Sequence, residues 1–354
     1  MRTKTVPLGT IRIRVKDLKP YEKTRTGWRL SKRSFPDAMH VIELFRAHSN
    51  LRALMDARDI DFLKGQLLLG GRTQGARIAV LPDGRKVDKA YSLFAEHLTV
   101  HDEESNDHWD VLFRNPGGTY AYVYTLDKKD MSVKRKYAEV DEFEKLYPTI
   151  EANVARALMD SSDEMAVPMY TLLKTHMRVG NEMYYRVHGT KGLTTLKKKD
   201  MKLKGHSVTF SYLSKGGVPR EFTEDFPAVY MLRMKKLLSQ KKPSDFVFVS
   251  DTGHPLSDRH FKLAFARYCG HPFYPHIVRS YYATKKAKEF LSMHKRVRKE
   301  ELLEFYRFLA SKLGHKRFVK KENEWKESYN VTIHHYVKPE VLSRLNALAV
   351  DSRR

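Results

Sequence analysis

Two spacings of apolar residues alternate along this chain, and each predicts a different kind of secondary structure. Between residues 65 and 125 the apolar runs are short and are interrupted by Asp-Gly, Asn-Pro and Gly-Gly pairs. Runs bounded by such turn-forming pairs predict strands and hairpins. In residues 36–64 and 128–150, by contrast, apolar residues recur three and four positions apart, which predicts helices. Both strands and helices are therefore expected in the first part of the chain.

Helical spacing dominates the second part of the chain. It predicts two helices within residues 149–188, further helices on either side of the apolar run FVFVS within 224–270, and a helical stretch at 285–313. Residues 193–223 differ, because glycine-containing turns separate three strand-like runs, as in an antiparallel meander. The predicted fold class is α+β: a small β-rich N-terminal domain, and a mainly α-helical domain that contains a three-stranded antiparallel sheet.

The first 35 residues are basic and almost free of acids. Basic and apolar residues alternate there around Ile11, Ile13 and Val15, which predicts one strand, IRIRV, with a loose basic tail. We therefore expect a basic N-terminal arm at residues 1–35, a β-rich domain at 36–130 and the mainly helical domain at 131–354.

The charge of the chain points to a polyanionic partner. Lys and Arg number 66 against 42 Asp and Glu, which gives a formal charge of +24 and a pI of about 9.8. Such an excess opposes compaction unless a polyanion neutralises it, so nucleic acid is the leading expectation. A ribosome-associated or membrane-surface protein would also be basic, so charge alone does not decide between these classes.

Several other classes are not favoured by the sequence. The single cysteine, Cys269, leaves no intrachain disulfide and no cysteine-based zinc site. No apolar run is long enough to span a bilayer, and the N-terminus lacks the apolar core of a secretory signal. No GxxxxGK[ST] loop suggests use of ATP. We expect an intracellular protein found with DNA, in a nucleoid, a nucleus, or a viral factory or virion.

The most specific pattern lies between residues 178 and 196. Arg178 is followed by Gly-Asn-Glu, by Tyr184 and, after a glycine-containing turn, by Gly-Leu-Thr-Thr-Leu at residues 192–196. Taken alone, Arg178 and Glu182 would make an ordinary ion pair on a helix. The whole stretch, however, resembles the signature of type IB DNA topoisomerases, which nick one DNA strand with a tyrosine. In that family the arginine lies on a helix and the Gly-Leu-Thr-Thr-Leu run is a strand.

Two further stretches resemble this superfamily. Lys215 precedes two glycines at a predicted hairpin tip, where type IB topoisomerases and tyrosine recombinases carry a catalytic lysine. A lysine in an exposed turn is otherwise usually just solvated. His276 and Arg279 form a His-x-x-Arg pair at a helix start, which resembles the second arginine motif of tyrosine recombinases. Topoisomerases usually have a lysine in place of His276, and the spacing alone is common by chance.

The C-terminal part supplies the remaining candidates. The Leu-Gly-His step that ends at His315 is shared by both families, and the resemblance makes Tyr336 the nucleophile because VKPEVL follows it. Tyr329 is the competing choice, and the segment between His315 and Tyr336 is longer than in compact family members.

The resemblance implies a reaction that needs no metal, nucleotide or other cofactor. Tyr336 would form a 3′-phosphotyrosyl bond, Arg178, Arg279 and His315 would bind the phosphate in the transition state, and Lys215 would act as general acid. It also makes 36–130 a DNA-clamp domain and 131–354 the catalytic domain of a monomer that clamps double-stranded DNA. Candidates for DNA contacts are His276 and a lysine-rich run, which is often only a solvated strand: Lys197, Lys198, Lys199, Lys202 and Lys204.

Three functions remain open on the sequence. The first is a type IB topoisomerase that relaxes supercoiled DNA without ATP, closer to the small bacterial and viral type than to the large nuclear one. The second is a tyrosine recombinase or integrase, which the His276-x-x-Arg279 pair favours. The third is a basic DNA-binding protein that has kept the fold without catalysis. The stretch from Arg178 to Leu196 favours the topoisomerase.

Overall fold

The structure, a computed structural model, describes residues 6–101, 108–319 and 321–350. The chain forms two compact units, residues 1–135 and 136–354. Strands predominate in the first unit, and helices in the second, so the predicted α+β fold class is confirmed. Within the described ranges, no helix is both long enough and apolar enough to cross a membrane.

Short antiparallel strands build the first unit. Those strands are β1 (Ile11–Ile13), β2 (Pro20–Thr24), β3 (Gly27–Leu30), β4 (Met55–Asp56), β5 (Asp59–Leu63), β6 (Gln66–Leu67), β7 (Thr73–Gln74), β8 (Ile78–Val80), β9 (Lys86–Tyr91), β10 (Glu96–Val100), β11 (Val111–Arg114) and β12 (Tyr120–Val123). A five-stranded sheet has the order β3-β2-β1-β6-β7, and a three-stranded sheet has the order β10-β11-β12.

Helix α1 (Pro36–Ala47) packs on the core of this unit through Ala38, Val41, Ile42 and Phe45, which are spaced as one helical face. The helix predicted over 36–64 therefore ends early. The left-handed backbone of Ser49, with φ +55°, stops it. The apolar residues that follow lie in a 3₁₀ turn and in β4 and β5.

The expectation of one strand with a loose basic tail is wrong for residues 11–30, which contribute three strands to the five-stranded sheet. Ile11 and Ile13 are buried in the core, and the Arg12 side chain between them is also buried. Its guanidinium donates to the Asp56 and Asp59 carboxylates over 2.7 and 2.6 Å. Arg12 is therefore a structural residue of the sheet. Residues 1–5 of the predicted arm lie outside the described residues.

Helices make up most of the remaining chain. They are α2 (Leu126–Ala157), α3 (Ala166–Thr175), α4 (Glu182–His188), α5 (Ala228–Ser239), α6 (Asp258–Cys269), α7 (Ile277–Met293), α8 (Lys299–Leu313), α9 (Asn330–Tyr336) and α10 (Pro339–Leu348). The strands are β13 (Met201–Lys204), β14 (Ser207–Ser214), β15 (Val218–Asp225), β16 (Val297–Arg298), β17 (Lys316–Val319), β18 (Glu324–Glu327) and β19 (Ala349–Val350). The predicted three-stranded antiparallel sheet is present as β13-β14-β15.

Three boundaries differ from the sequence expectation. Helix α2 continues to Ala157 as one helix, the stretch 285–313 is divided by β16, and the FVFVS run makes only isolated bridges at Phe246 and Val249. The hairpin β17–β18, which was not predicted, lies between His315 and Tyr336. Helices α7 to α10 share one apolar core, and α9 is held in it through Ile333 and Tyr336.

Candidate active site

Tyr336 is the last residue of α9, and its side chain is only 3% exposed. The backbone around it is anchored from two other helices. The Thr284 hydroxyl donates to the Tyr336 carbonyl over 3.2 Å, and the Tyr137 hydroxyl donates to the Val337 carbonyl over 2.7 Å. The tyrosine is thus fixed at the point where α9 ends and the chain turns toward α10.

Arg178 lies in the loop between α3 and α4, so its predicted place on a helix is wrong. Helix α3 ends because His176 adopts a left-handed backbone with φ +54°, and Gly180 follows at φ +103°. Glu182 accepts from Arg186 and makes a contact with His254, so the simple ion pair between Arg178 and Glu182 is absent from the described contacts. The Arg178 guanidinium is turned elsewhere.

The Gly-Leu-Thr-Thr-Leu run forms a 3₁₀ turn (Leu193–Thr195), so the expected strand is also wrong. This turn docks directly on the Arg178 loop. The Leu193 amide donates to the Arg178 carbonyl over 2.8 Å, and the Thr194 amide donates to the Val179 carbonyl over 2.7 Å. A Cβ on Gly192 would lie 2.5 Å from the Arg178 carbonyl oxygen. The contiguous motif is therefore one packed unit that places Arg178.

The candidate side chains converge around Tyr336. Arg178 Nη2 donates to the Tyr336 hydroxyl over 3.0 Å and lies 3.5 Å from His315 Nε2. Arg279 Nη2 lies 3.0 Å from the same His315 nitrogen, and its guanidinium carbon is 5.1 Å from the centre of the Tyr336 ring. Two guanidinium groups, one imidazole and one phenol therefore share one small region of the second unit.

Arg279 is held rigidly before any ligand arrives. Its side chain is 1% exposed, and it donates from Nη1 to the His176 carbonyl over 2.7 Å and from Nη2 to the Leu313 carbonyl over 2.8 Å. Burial lowers the pKa of Arg279 to about 10, which still leaves it charged at neutral pH. No described group accepts from its buried Nε atom. This cation is thus fixed in direction, and none of these contacts involves a carboxylate.

His315 follows Gly314, whose left-handed backbone ends α8. Arg220 packs against Gly314 and donates to the Lys312 carbonyl over 2.6 Å, which supports this corner. On its other side the His315 ring meets the Thr332 hydroxyl, 2.7 Å from Nδ1. Burial, reinforced by Arg279 and Arg178, lowers the pKa of His315 to about 3. The imidazole is therefore neutral across the physiological range.

Lys215 lies at the tip of the β14–β15 hairpin, in the 3₁₀ turn Lys215–Gly217, and its side chain is exposed. It lines a cavity of about 300 Å³ together with Arg178, Arg279 and His315. It also lines a neighbouring cavity of about 290 Å³ with Arg178 and His276. The structure thus places Lys215 at the edge of the cluster, on a turn that two glycines with positive φ allow to fold tightly.

The predicted DNA-contacting residues fall into two groups. Lys199, Lys202 and Lys204 are exposed on β13 and the turn before it. Lys197 lies over the rings of Tyr185 and Phe246 at 5.2 and 5.4 Å, whereas Lys198 donates to the Lys241 carbonyl over 2.8 Å. The last two therefore have contacts inside the protein.

His276 immediately precedes α7, and its ring centre is 5.3 Å from that of Tyr336. Burial, with Arg279 and Arg178 nearby, lowers the pKa of His276 to about 3. Tyr329, the competing nucleophile, packs instead on Tyr306 in the shared core of α7 to α10, with 5.9 Å between the ring centres.

Several residues near the site were missed in the sequence. Lys136 on α2 donates to the His335 carbonyl, and its ammonium is 5.5 Å from the centre of the Tyr336 ring. Arg317 on β17 lines the same cavity as Arg178. Thr332 precedes Tyr336 by four positions, so a helical reading of this segment would have placed both on one face. Lys136 and Arg317 carry no local signal, because long-range folding brings them there.

Metal binding was also considered. Within residues 6–101, 108–319 and 321–350, no group of three or more His, Cys, Asp or Glu side chains is arranged to hold an ion. The polar groups that meet around Tyr336 are hydrogen-bond donors and cations, which suit a phosphate or another oxyanion.

Sequence comparison gives a family match. Residues 126–338 match the family described as "Eukaryotic DNA topoisomerase I, catalytic core". The match spans about three fifths of the chain, and Arg178, Lys215, Arg279, His315 and Tyr336 all lie within it. The matching family is described as eukaryotic, so the finer expectation of a small bacterial or viral type stays a prediction. No curated protein matches the chain.

Two solved structures resemble part of the chain. Both are of the XerH site-specific recombinase: one is a pre-cleavage complex with the difH substrate, and the other a post-cleavage complex with a palindromic difH substrate. Each is 16% identical and covers 58% of this chain, with TM-scores of 0.35 and 0.37. The alignments span 50% and 51% of the recombinase chains. This distant likeness carries no argument about function.

Proposed function

The chain belongs to the eukaryotic DNA topoisomerase I family, and from that membership we propose that it relaxes supercoiled DNA by transient cleavage of one strand. The observation that carries the proposal is the contact between Arg178 and the Tyr336 hydroxyl, beside Arg279 and His315. A phenol surrounded by fixed cations is arranged to attack a phosphodiester and to stabilise the charge that develops.

Cleavage transfers one phosphoryl group. The Tyr336 hydroxyl oxygen attacks the phosphorus and gives up its proton, the bond from phosphorus to the 5′ oxygen breaks, and a 3′-phosphotyrosyl ester forms. The free 5′ oxygen takes a proton from Lys215, whose exposed place on a hairpin tip lets it reach into the cavity. Religation is the same step in reverse, with the 5′-hydroxyl as the nucleophile.

The cationic groups act on the phosphate. Arg178 and Arg279 bind its non-bridging oxygens, and His315 donates to one of them. Arg279 is already fixed by the carbonyls of His176 and Leu313, so it needs little reorganisation when charge develops. The ester preserves the free energy of the broken bond, so religation needs no nucleotide, and the torsion of the DNA drives relaxation.

The partner in this proposal is double-stranded DNA, which the protein acts on as a monomer at the sites in the cell where DNA is found. The formal charge of +24 supports binding through backbone phosphates. Six to ten such contacts would reduce the affinity by about 10³–10⁵ between low and moderate salt.

A plasmid assay tests the proposal. Negatively supercoiled plasmid is incubated in EDTA without nucleotide with the wild type, Tyr336→Phe or Tyr329→Phe. We expect relaxation by the wild type and by Tyr329→Phe, and loss of relaxation in Tyr336→Phe. Tight binding without relaxation by the wild type would contradict the proposal, and would favour a site-specific recombinase or a DNA-binding protein without catalysis.

A further inference from the structure

The contact between His315 and Thr332 constrains where the imidazole carries its proton. Nε2 of His315 lies 3.0 Å from Arg279 Nη2 and 3.5 Å from Arg178 Nη2. A guanidinium can only donate hydrogen bonds, so Nε2 must accept and therefore has no hydrogen in the ligand-free site. A neutral imidazole then carries its proton on Nδ1, which donates to the Thr332 hydroxyl oxygen over 2.7 Å.

This tautomer is the wrong one for the role that His315 has in the proposed function. The non-bridging oxygens of a phosphodiester are acceptors, so His315 can help to bind them only if Nε2 carries a hydrogen. Either the ring becomes doubly protonated, or its proton moves from Nδ1 to Nε2. Burial and the neighbouring cations lower the pKa of His315 to about 3, which disfavours the doubly protonated ring at neutral pH.

A hydroxyl partner permits the second route. The Thr332 oxygen can accept from Nδ1–H, and after rotation of its own hydrogen it can donate to a bare Nδ1. A carboxylate or a carbonyl in the same place could only accept, and would hold the proton on Nδ1. Thr332 is fully buried, so water does not readily replace its hydroxyl as the partner.

We propose that Thr332 is a positioning residue that lets His315 exchange tautomers, with Nδ1–H in the free enzyme and Nε2–H when a DNA phosphate is bound. The ring keeps one proton throughout: Nδ1 releases a proton to water, Nε2 takes one from water, and the Thr332 hydrogen turns toward Nδ1. The inference rests on the proposed function, because it concerns the phosphate-bound state of the same site.

The charged and titratable groups that face His315 come from several elements. Arg279 and His276 belong to the start of α7, Arg178 to the loop after α3, and Arg220 to β15, and each of them disfavours a doubly protonated ring. Tyr336 lies on α9, with its ring centre 5.1 Å from that of His315. The described surroundings of the ring are therefore mainly cationic, and a bound phosphate would change that balance.

Nuclear magnetic resonance tests the exchange directly. Histidine nitrogens are isotopically labelled in the Tyr336→Phe protein, which holds DNA without cleaving it, and the signals of His315 are assigned by their loss in His315→Gln. We expect a hydrogen on Nδ1 in the free protein and on Nε2 after addition of a saturating short duplex. A ring that keeps its hydrogen on Nδ1 with the duplex present would overturn the inference.

Rate measurements supply the second test. In single-turnover cleavage, Thr332→Val keeps the side-chain volume but removes the hydroxyl, so we expect a loss of about 10- to 100-fold, as for a buried polar group left without a partner. Thr332→Ser restores the hydroxyl and should recover most of the rate. Thr171→Val, which removes a buried hydroxyl bonded to Tyr230, is the matched control and should cleave like the wild type.

The two tests separate this inference from the proposed function. If the wild type cleaves no DNA, the proposed function fails, whereas the tautomer of His315 can still be read with and without the duplex. If the wild type cleaves and Thr332→Val cleaves equally fast, the inference fails while the proposed function stands. A tautomer exchange that persists in Thr332→Val would also overturn the role given to Thr332.

Discussion

Arg178 donates a hydrogen bond to the hydroxyl of Tyr336 over 3.0 Å, although 158 positions separate the two residues in the chain. The loop that carries Arg178 is held by the turn at Leu193–Thr195, and the helix that carries Tyr336 is held in the shared core of α7 to α10. Two independent pieces of structure are therefore needed to make this one contact, and the predictions below follow from it.

Replacement of Arg178 by Ala should reduce the single-turnover rate of strand cleavage strongly. An arginine that stabilises a transferring phosphoryl group contributes about 10³–10⁵ to the rate in other enzymes. Arg178→Lys should recover only part of the rate, because an ammonium cannot bind two oxygens in the plane of a guanidinium. Arg186→Ala is the control, since Arg186 is exposed and pairs with Glu182. Equal rates for Arg178→Ala and Arg186→Ala would contradict the role of Arg178.

Replacement of Lys215 by Ala should be rescued by changing the substrate. If Lys215 protonates the 5′ oxygen, a duplex with sulfur in place of that oxygen needs no proton, because a thiolate is the better leaving group. We expect Lys215→Ala to cleave the ordinary duplex slowly and the sulfur-containing duplex at nearly the wild-type rate. Arg178→Ala is the comparison and should remain slow on both substrates. An unrescued Lys215→Ala would remove Lys215 as the general acid.

Gly192→Ala should damage the site more than Gly189→Ala. A Cβ at Gly192 would meet the Arg178 carbonyl at 2.5 Å and the Gly180 amide nitrogen at 2.6 Å, whereas a Cβ at Gly189 would meet nothing within 4 Å. Gly189 has φ +66°, so its substitution should cost only about 1 kcal/mol of backbone strain. Overpacking at Gly192 should cost about 1–3 kcal/mol and also displace Arg178. Unfolding and cleavage measured for both variants check this ordering.

The stability of the fold should decrease as the pH falls below about 6.5, before most carboxylates titrate. Burial lowers the pKa values of His176, His276 and His315 to about 3. Their pKa is lower in the folded chain than in the unfolded chain, so between these values the unfolded chain binds more protons. The histidine contribution is therefore complete above pH 6.5, where both states are neutral, and is lost progressively toward pH 3.

Thermal unfolding at a series of pH values measures this effect. The dependence between pH 6.5 and about 5 should be smaller in His176→Asn, which removes one of the three groups and tolerates the left-handed backbone. The slopes are compared rather than the absolute stabilities, because the variant also loses the packing of His176 on Tyr282. Equal slopes for the two proteins would contradict the neutral, buried state of His176.

Salt dependence should separate the lysines into two groups. Each phosphate contact that is lost lowers the slope of log affinity against log salt by about 0.9. The triple replacement of Lys199, Lys202 and Lys204 by Gln, at exposed positions, should reduce that slope. Lys198→Gln should mainly affect stability, since its ammonium is bonded to the Lys241 carbonyl. An unchanged slope in the triple variant would show that this face does not meet DNA.

The sequence predicted the fold class and the three-stranded sheet because both depend on local periodicity and turns. It did not predict that Arg178 lies in a loop, since helical spacing continues past the point where His176 and Gly180 turn the backbone. The position of Arg12 was missed for a related reason. A basic residue in a basic segment suggests solvent exposure, whereas long-range pairing with Asp56 and Asp59 buries it.

Contacts at the site divide in the same way. The spacing of His276 and Arg279 on one turn of chain could be read directly, as could the turn that carries Lys215. The partners that orient these groups could not, because Thr332, Arg220 and Lys136 come from three separate elements. Their places depend on how α2, α9 and β15 pack in the second unit, and no short stretch of sequence carries that information.

The central claim is that Tyr336 becomes covalently joined to the 3′ side of a broken DNA strand. A duplex with a nick just beyond the cleavage position loses its short 5′-hydroxyl fragment after cleavage, so the covalent complex accumulates and its tyrosine can be identified by peptide mass spectrometry. We expect the DNA on the peptide that contains Tyr336, joined through a 3′-phosphate, and no adduct in Tyr336→Phe. An adduct on Tyr329, or a bond to the 5′ side, would contradict the account.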